Sequence, residues 1–159
     1  FISKLVKDLE GNTLVLAQYI EKQLVPLCLM ITELCDNRTV HFISGATPTD
    51  DRENIRGLVE KSDDCIVVAS YGTFSLGVNV KRIHNIVFAS PYKSQIKVLQ
   101  SIGRGLRTAD DKEVLKLFDI ADSLVYNNRE NYTLKHFRER INIYNEQGFE
   151  YQIVPVTLK

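Results

Sequence analysis

The 159-residue chain carries 20 Lys and Arg against 20 Asp and Glu, so it has no formal net charge and nothing global demands nucleic acid or membrane. With 44% hydrophobic and 25% charged residues it reads as one globular domain with a real core, too short for two ordinary ones. The longest apolar run, Leu24 to Ile31, is interrupted by Pro26 and falls far short of the ~20 residues of a membrane span. Cys28, Cys35 and Cys65 form no C-x-x-C pair and read as reduced, buried thiols rather than a metal site. No targeting signal opens the chain, and the expected location is the cytoplasm. An opening Phe1 without an initiator methionine reads as a fragment or a processed chain.

Phe1, Ile2, Leu5, Val6 and Leu9 recur at helical spacing until Gly11-Asn12 stops the helix. Thr13 to Gln18 is a short apolar run suited to a strand buried on both faces. Tyr19 to Leu34 reads as helical, with Pro26 forcing a kink or a second start. Thr39 to Ile43 is a second strand leading into Ser44-Gly45. Thr47 then caps a helix with Pro48 in its first position, running to about Lys61. Cys65 to Ser70 is the most strand-like segment, followed by a loop rich in glycine and hydroxyls, Ser70 to Asn79. His84 to Ser90 and Glu113 to Asp119 read as further strands, with His84 at a strand edge. Asp119 and Asp122 lack the partner cluster that a metal or phosphoryl-acceptor role needs.

Tyr126 to Arg129 is expected to be a mobile loop. A helix follows to about Gln147, with Tyr132, Phe137, Ile141 and Tyr144 among its apolar positions, and Gly148 closes it. Tyr151 to Leu158 alternates like an edge strand, the one place where Pro155 would fit. Strands alternating with helices call for a mainly parallel sheet with helices on both faces, whose ligands bind beyond the carboxyl ends of the strands.

The densest chemistry lies in Lys97 to Arg107, KVLQSIGRGLR. On a helix, Gln100, Arg104 and Arg107 fall within an arc of roughly 60°, beside an apolar stripe containing Leu99, Ile102 and Leu106. One amide and two guanidinium forks on one face suit a polyphosphate; a solvated helix face would look much the same. Gly103 tips the balance, because a glycine costs about 1 kcal/mol in a helix interior and marks a close approach there. Lys93 and Lys97 add charge nearby. The loop from Ser70 likewise lets backbone amides and hydroxyls approach a phosphate, although turns are rich in the same residues. Ser44-Gly45 is either an ordinary strand-to-helix turn or a contact to a nucleic-acid backbone.

Gln100 to Arg107 resembles the Q-x-x-G-R-x-x-R box, motif VI of superfamily 2 helicases, and Ser70 to Asn79 resembles their motif V. Order, spacing and tail are further similar to the UvsW-type recombination helicases of bacteriophages. The resemblance implies the second, C-terminal RecA-like domain of an ATP-dependent DNA helicase, an α/β three-layer sandwich acting on branched DNA in recombination, repair and replication. It implies catalytic roles for Arg104 and Arg107 as arginine fingers and for Gln100. It puts Gly77, Asn79 and Gly103 near ATP, and Ser44, Gly45, Ser70 and Thr73 against nucleic-acid phosphates. Asn79 departs from the aspartate of many relatives, keeping hydrogen bonding to a ribose hydroxyl but no charge.

No G-x-x-x-x-G-K-[ST] loop and no D-E-x-H box occurs in the chain. ATP and Mg would therefore be held mainly by an N-terminal RecA-like domain outside residues 1–159, and the isolated chain is expected to be inactive as an ATPase. No metal site of its own is expected. The other expected partner is DNA, branched or at duplex–single-strand junctions, in a host cytoplasm if the protein is phage-encoded. Rival readings are a double-stranded DNA translocase or annealing motor, a non-catalytic helicase-like binding module, and an unrelated doubly wound nucleotide-binding domain. The last leaves the Gln-Arg-Arg stripe unexplained.

Overall fold

The computed structural model describes residues 1–75, 82–90, 114–126 and 129–158. Five strands make one sheet: β1 (Thr13–Ala17), β2 (Thr39–Ile43), β3 (Cys65–Ser70), β4 (Asn85–Phe88) and β5 (Lys116–Asp119). Their order is β2-β3-β1-β4-β5, and every pairing is parallel. β1 and β3 are buried at every position, as strands covered on both faces must be.

Because side chains alternate across a strand, the two faces feed two cores. Leu14, Leu16, Val67, Ala69, Ile86 and Phe88 point to one face, where Val59 of α3 (Thr49–Lys61) and Tyr71 join them. Val15, Ala17, Ile66, Val68 and Val87 point to the other, beneath α1 (Ile2–Asp8) and α2 (Val25–Leu34). Among the described residues no helix is long and apolar enough to cross a membrane. All three cysteines are free thiols, with Cys35 and Cys65 buried.

Several local expectations need correction. Ahead of α2, Ile20–Leu24 winds as a π-helical turn. Pro26 does mark the second start expected of it, standing in the first turn of α2 directly after the π turn. Pro48 stands at the N-cap of α3 and Thr49 begins the helix. Thr47 is not the cap, because its Oγ1 accepts the Ser44 N–H at 2.9 Å and closes the preceding turn instead. The stretch after β3 is not all loop: α4 (Tyr71–Ser75) follows directly.

Residues 126 and 129 belong to an antiparallel hairpin of β6 (Val125–Tyr126) and β7 (Arg129–Glu130), separate from the main sheet. α5 (Tyr132–Glu146) follows, with Gly148 at φ 69° after it. Residues 151–158 form no strand, and Ile153, Val154, Val156 and Leu158 are exposed. Alternation supplied the pattern of a strand there, but pairing needs an adjoining sheet edge.

Buried polar side chains lock the amino ends of the strands. The Asn12 amide, fully buried, donates to the carbonyls of Val59, Ser62 and Arg82 and accepts from Cys65 N. Its own N–H donates to His84 Nδ1 at 3.0 Å, which makes His84 a structural acceptor just before β4. Arg38 donates to the carbonyls of Val6, Leu9 and Gly11 and pairs with Asp64 at 2.8 Å, capping the last turn of α1. Gly11 stands at φ 82°, and a Cβ there would lie 2.9 Å from the His84 ring, so two requirements select glycine.

Candidate nucleic-acid interface

One row of paired residues crosses the sheet near its carboxyl end: Ile43, Ala69, Leu16, Phe88 and Asp119. Residues immediately beyond this row line the edge where a parallel sheet offers its binding crevice. The strand order there reverses around β1, with β2 and β3 to one side and β4 and β5 to the other.

Ser44 follows β2 and Ser70 ends β3, so the register sets these two predicted residues side by side on neighbouring strands. Strand spacing puts their backbones about 5 Å apart. Ser70 precedes α4 and behaves as its cap: its Oγ accepts Thr73 N–H at 3.2 Å and lies 2.7 Å from Thr73 Oγ1. Both hydroxyls are buried, so they meet each other before they meet solvent. Ser44 Oγ accepts from Ala46 N at 3.3 Å, and Gly45 is exposed with open space where a Cβ would stand. Arg52 of α3 donates to the carbonyls of Gly45 and Thr47, pinning this turn and placing a cation beside it. Sequence reading missed Arg52, although its place one turn into a helix that follows Ser-Gly was a usable signal.

Ser44, Gly45, Ser70 and Thr73 thus gather at one corner of the sheet. The centre of the edge is stapled by residues the sequence did not single out: Gln18 N donates to Ser90 Oγ, and Tyr71 Oη donates to the Ser90 carbonyl at 2.7 Å. At the far corner Asp119 receives Arg140 in a bidentate pair at 2.6 and 2.8 Å and the Tyr144 hydroxyl at 2.7 Å. Burial and the Asp119 charge push the Tyr144 phenol well above the usual tyrosine range, so it stays a donor. Asp119 therefore anchors α5. Among the described residues no group of three or more His, Cys, Asp or Glu could hold a metal ion. Gly77, Asn79, Gln100, Gly103, Arg104 and Arg107, with Lys93 and Lys97, lie outside the described residues.

Residues 1–109 match the family model of the helicase conserved C-terminal domain. The chain belongs to that family. The helicase domain is 37% identical over 129 residues to the ATP-dependent DNA helicase UvsW of enterobacteria phage T4, covering 75% of this chain and 26% of the relative. Its fold matches the crystal structure of T4 UvsW with a TM-score of 0.68 and 32% identity over 93% of this chain and 32% of that one. The chain thus spans roughly a quarter to a third of the helicase it matches. Two structures at 17% identity share the fold alone: the C-terminal part of the Fun30 ATPase domain, TM-score 0.62, covering 91% of this chain and 53% of that one, and domain 2 of the DEAD-box helicase Mss116p bound to an RNA duplex, TM-score 0.59, covering 75% and 46%. The all-parallel five-stranded sheet is that of a RecA-like helicase C-terminal domain.

Proposed function

We propose that this chain is the second motor domain of an ATP-dependent superfamily 2 DNA helicase that remodels branched DNA, and that residues 1–159 form one domain of a larger protein. The observation that carries the reading is the 37% identity to an ATP-dependent DNA helicase, joined to a Q-x-x-G-R-x-x-R sequence at Gln100 to Arg107. Two guanidinium groups and an amide are the donor set for a triphosphate. In this reading Arg104 and Arg107 stabilise charge on the phosphoryl group in flight, Gln100 couples that group to domain closure, and Gly77, Asn79 and Gly103 approach the nucleotide. ATP with Mg, held mainly by an N-terminal RecA-like domain, supplies the phosphoryl-transfer chemistry. Ser44, Gly45, Ser70 and Thr73 contact nucleic-acid phosphates, a salt-sensitive and largely sequence-independent interaction. The enzyme works in the cytoplasm, that of the host if a phage encodes it.

Arg107→Ala in the full-length protein tests the reading. Arginine fingers contribute about 10³ to 10⁵ in turnover, so DNA-stimulated hydrolysis falls by at least that lower factor while DNA affinity stays near the parent value. Parallel loss of both would overturn the assignment. Substantial ATPase activity in the isolated 159-residue chain would overturn the claim that a second domain is required.

A further inference from the structure

The hairpin and α5 lie beyond residue 109, where the match to the family model ends. The periodicity of α5 put Tyr132 among its apolar positions, with Phe137, Ile141 and Tyr144. The structure turns it out instead. Tyr132 is 79% exposed, whereas Tyr144 is buried and Phe137 and Ile141 are half-buried. Its ring is framed by bases: Lys135 Nζ lies 5.8 Å from the ring centroid, and the His136 ring sits 6.4 Å away at 45°.

The helix carrying this cluster is fixed at both ends. Near its start, Thr133 Oγ1 donates to the Asp122 carbonyl at 2.9 Å and Asn131 N donates to the Leu124 carbonyl at 3.1 Å. Farther along, Arg140 and Tyr144 clasp Asp119 at the carboxyl end of β5. Tyr132 therefore stands about 12 Å up the helix from that anchor, tied to residues 122–124 that follow the strand end. The edge is the one that carries Ser44 and Ser70 at its opposite corner, four and three strand spacings from β5, or about 19 and 14 Å.

We propose that Tyr132, Lys135 and His136 form a stacking platform for single-stranded nucleic acid, a second contact at the far corner of the carboxyl edge. A base lies on the open phenol ring, and Lys135 meets the adjoining phosphate. An exposed aromatic ring beside a lysine ammonium and an imidazole ring has the chemistry that sequence-tolerant single-strand binding uses. Anchoring α5 through a buried ion pair presents the ring already oriented, which lowers the ordering cost of binding. This inference rests on the nucleic-acid role proposed above.

The test is fluorescence anisotropy of the full-length protein with fluorescein-labelled (dU)12 and (rU)12 across a salt series. Stacking contributes enough that Tyr132→Ala weakens binding about fivefold or more, while Tyr132→Phe binds like the parent. Lys135→Ala lowers the salt slope by about 0.7. Loss on both oligonucleotides means that stacking alone is read; loss on one identifies the sugar that the platform prefers. With 5-iodouracil in the oligonucleotide, photocrosslinks on the unaltered protein map to Tyr132. Parent-like binding by Tyr132→Ala, equal weakening by Tyr132→Phe, or crosslinks confined elsewhere would overturn the platform and leave the patch to a protein partner. A parent protein that binds neither oligonucleotide would overturn the nucleic-acid reading as well, which separates the two failures.

Discussion

The two ends of the sheet treat polar side chains in opposite ways. At the amino end Asn12 and Arg38 reach across the fold to backbone groups 47–70 and 27–32 residues away in sequence, and Arg38 also pairs with Asp64. At the carboxyl end, among the described residues, the Ser44 and Ser70 hydroxyls bond within three residues, beside glycines with open space. Long-range bonding to several segments marks a polar group that holds the fold together. Short-range pairing in turns leaves backbone and hydroxyls that a ligand could re-engage at small cost. Ser90, stapled to Gln18 and Tyr71, and the Asp119–Arg140–Tyr144 cluster depart from this pattern as long-range anchors at the carboxyl end.

The Asp119 cluster offers the largest test. Arg140→Met leaves the Asp119 carboxylate buried without its partner and should cost about 3–5 kcal/mol, read by denaturant unfolding. Asp119→Leu, Arg140→Met and Tyr144→Phe together should recover most of the loss, since replacing a whole buried polar cluster by apolar groups is often nearly neutral. Failure to recover would mean that the pair specifies α5 docking rather than merely satisfying its own charges.

Asn12→Leu comes next. It orphans Cys65 N–H and takes a donor from three carbonyls, of which Val59 keeps the Ser62 N–H, and we expect a loss of about 3 kcal/mol. Asn12→Asp should not rescue it, because a carboxylate would face those carbonyls. Rescue by Asp would show that only the acceptor to Cys65 matters.

The carboxyl corner should respond in the opposite sense. Ser70→Ala removes a local cap and should cost about 1 kcal/mol or less, while salt-dependent DNA affinity of the full-length protein falls several-fold. A stability loss as large as that of Asn12→Leu, with affinity unchanged, would erase the distinction between the two ends.

The smallest effect belongs to His41 in β2, whose partial burial lowers its pKa from the ordinary 6.5. The unfolded chain then binds the proton more readily than the folded one. The stability contributed by neutral His41 is complete above pH 6.5 and is lost as pH falls through that value toward the lower folded one. Unfolding midpoints from pH 8 to pH 5 should show this slope, and His41→Gln should flatten it.

Much of the architecture was legible because it is local. Continuous apolar runs at 13–18 and 65–70 are what a strand buried on both faces requires, and alternation with helical segments called for a parallel sheet. Thr47 misled because a hydroxyl before a proline can cap a helix or close a turn, and only the position of Ser44 N decides between them. Residues 151–158 misled because alternation cannot say whether a sheet edge is within reach. Tyr132 misled because a wide apolar stripe on a helix has soft borders, and packing against the β5 end sets where the stripe stops.

The sequence by itself determined the five strands of the main sheet, its mainly parallel class and the Gln-Arg-Arg pattern, since each is written in residue type at short spacing. Tertiary structure alone decided which polar residues are spent on the fold. Asn12, Arg38 and Asp119 look ordinary in sequence, and their partners are 21 to 70 residues distant. The physical reason is that a hydrogen bond or ion pair depends on which segments are brought within about 3 Å, and that proximity comes from the packing of both cores.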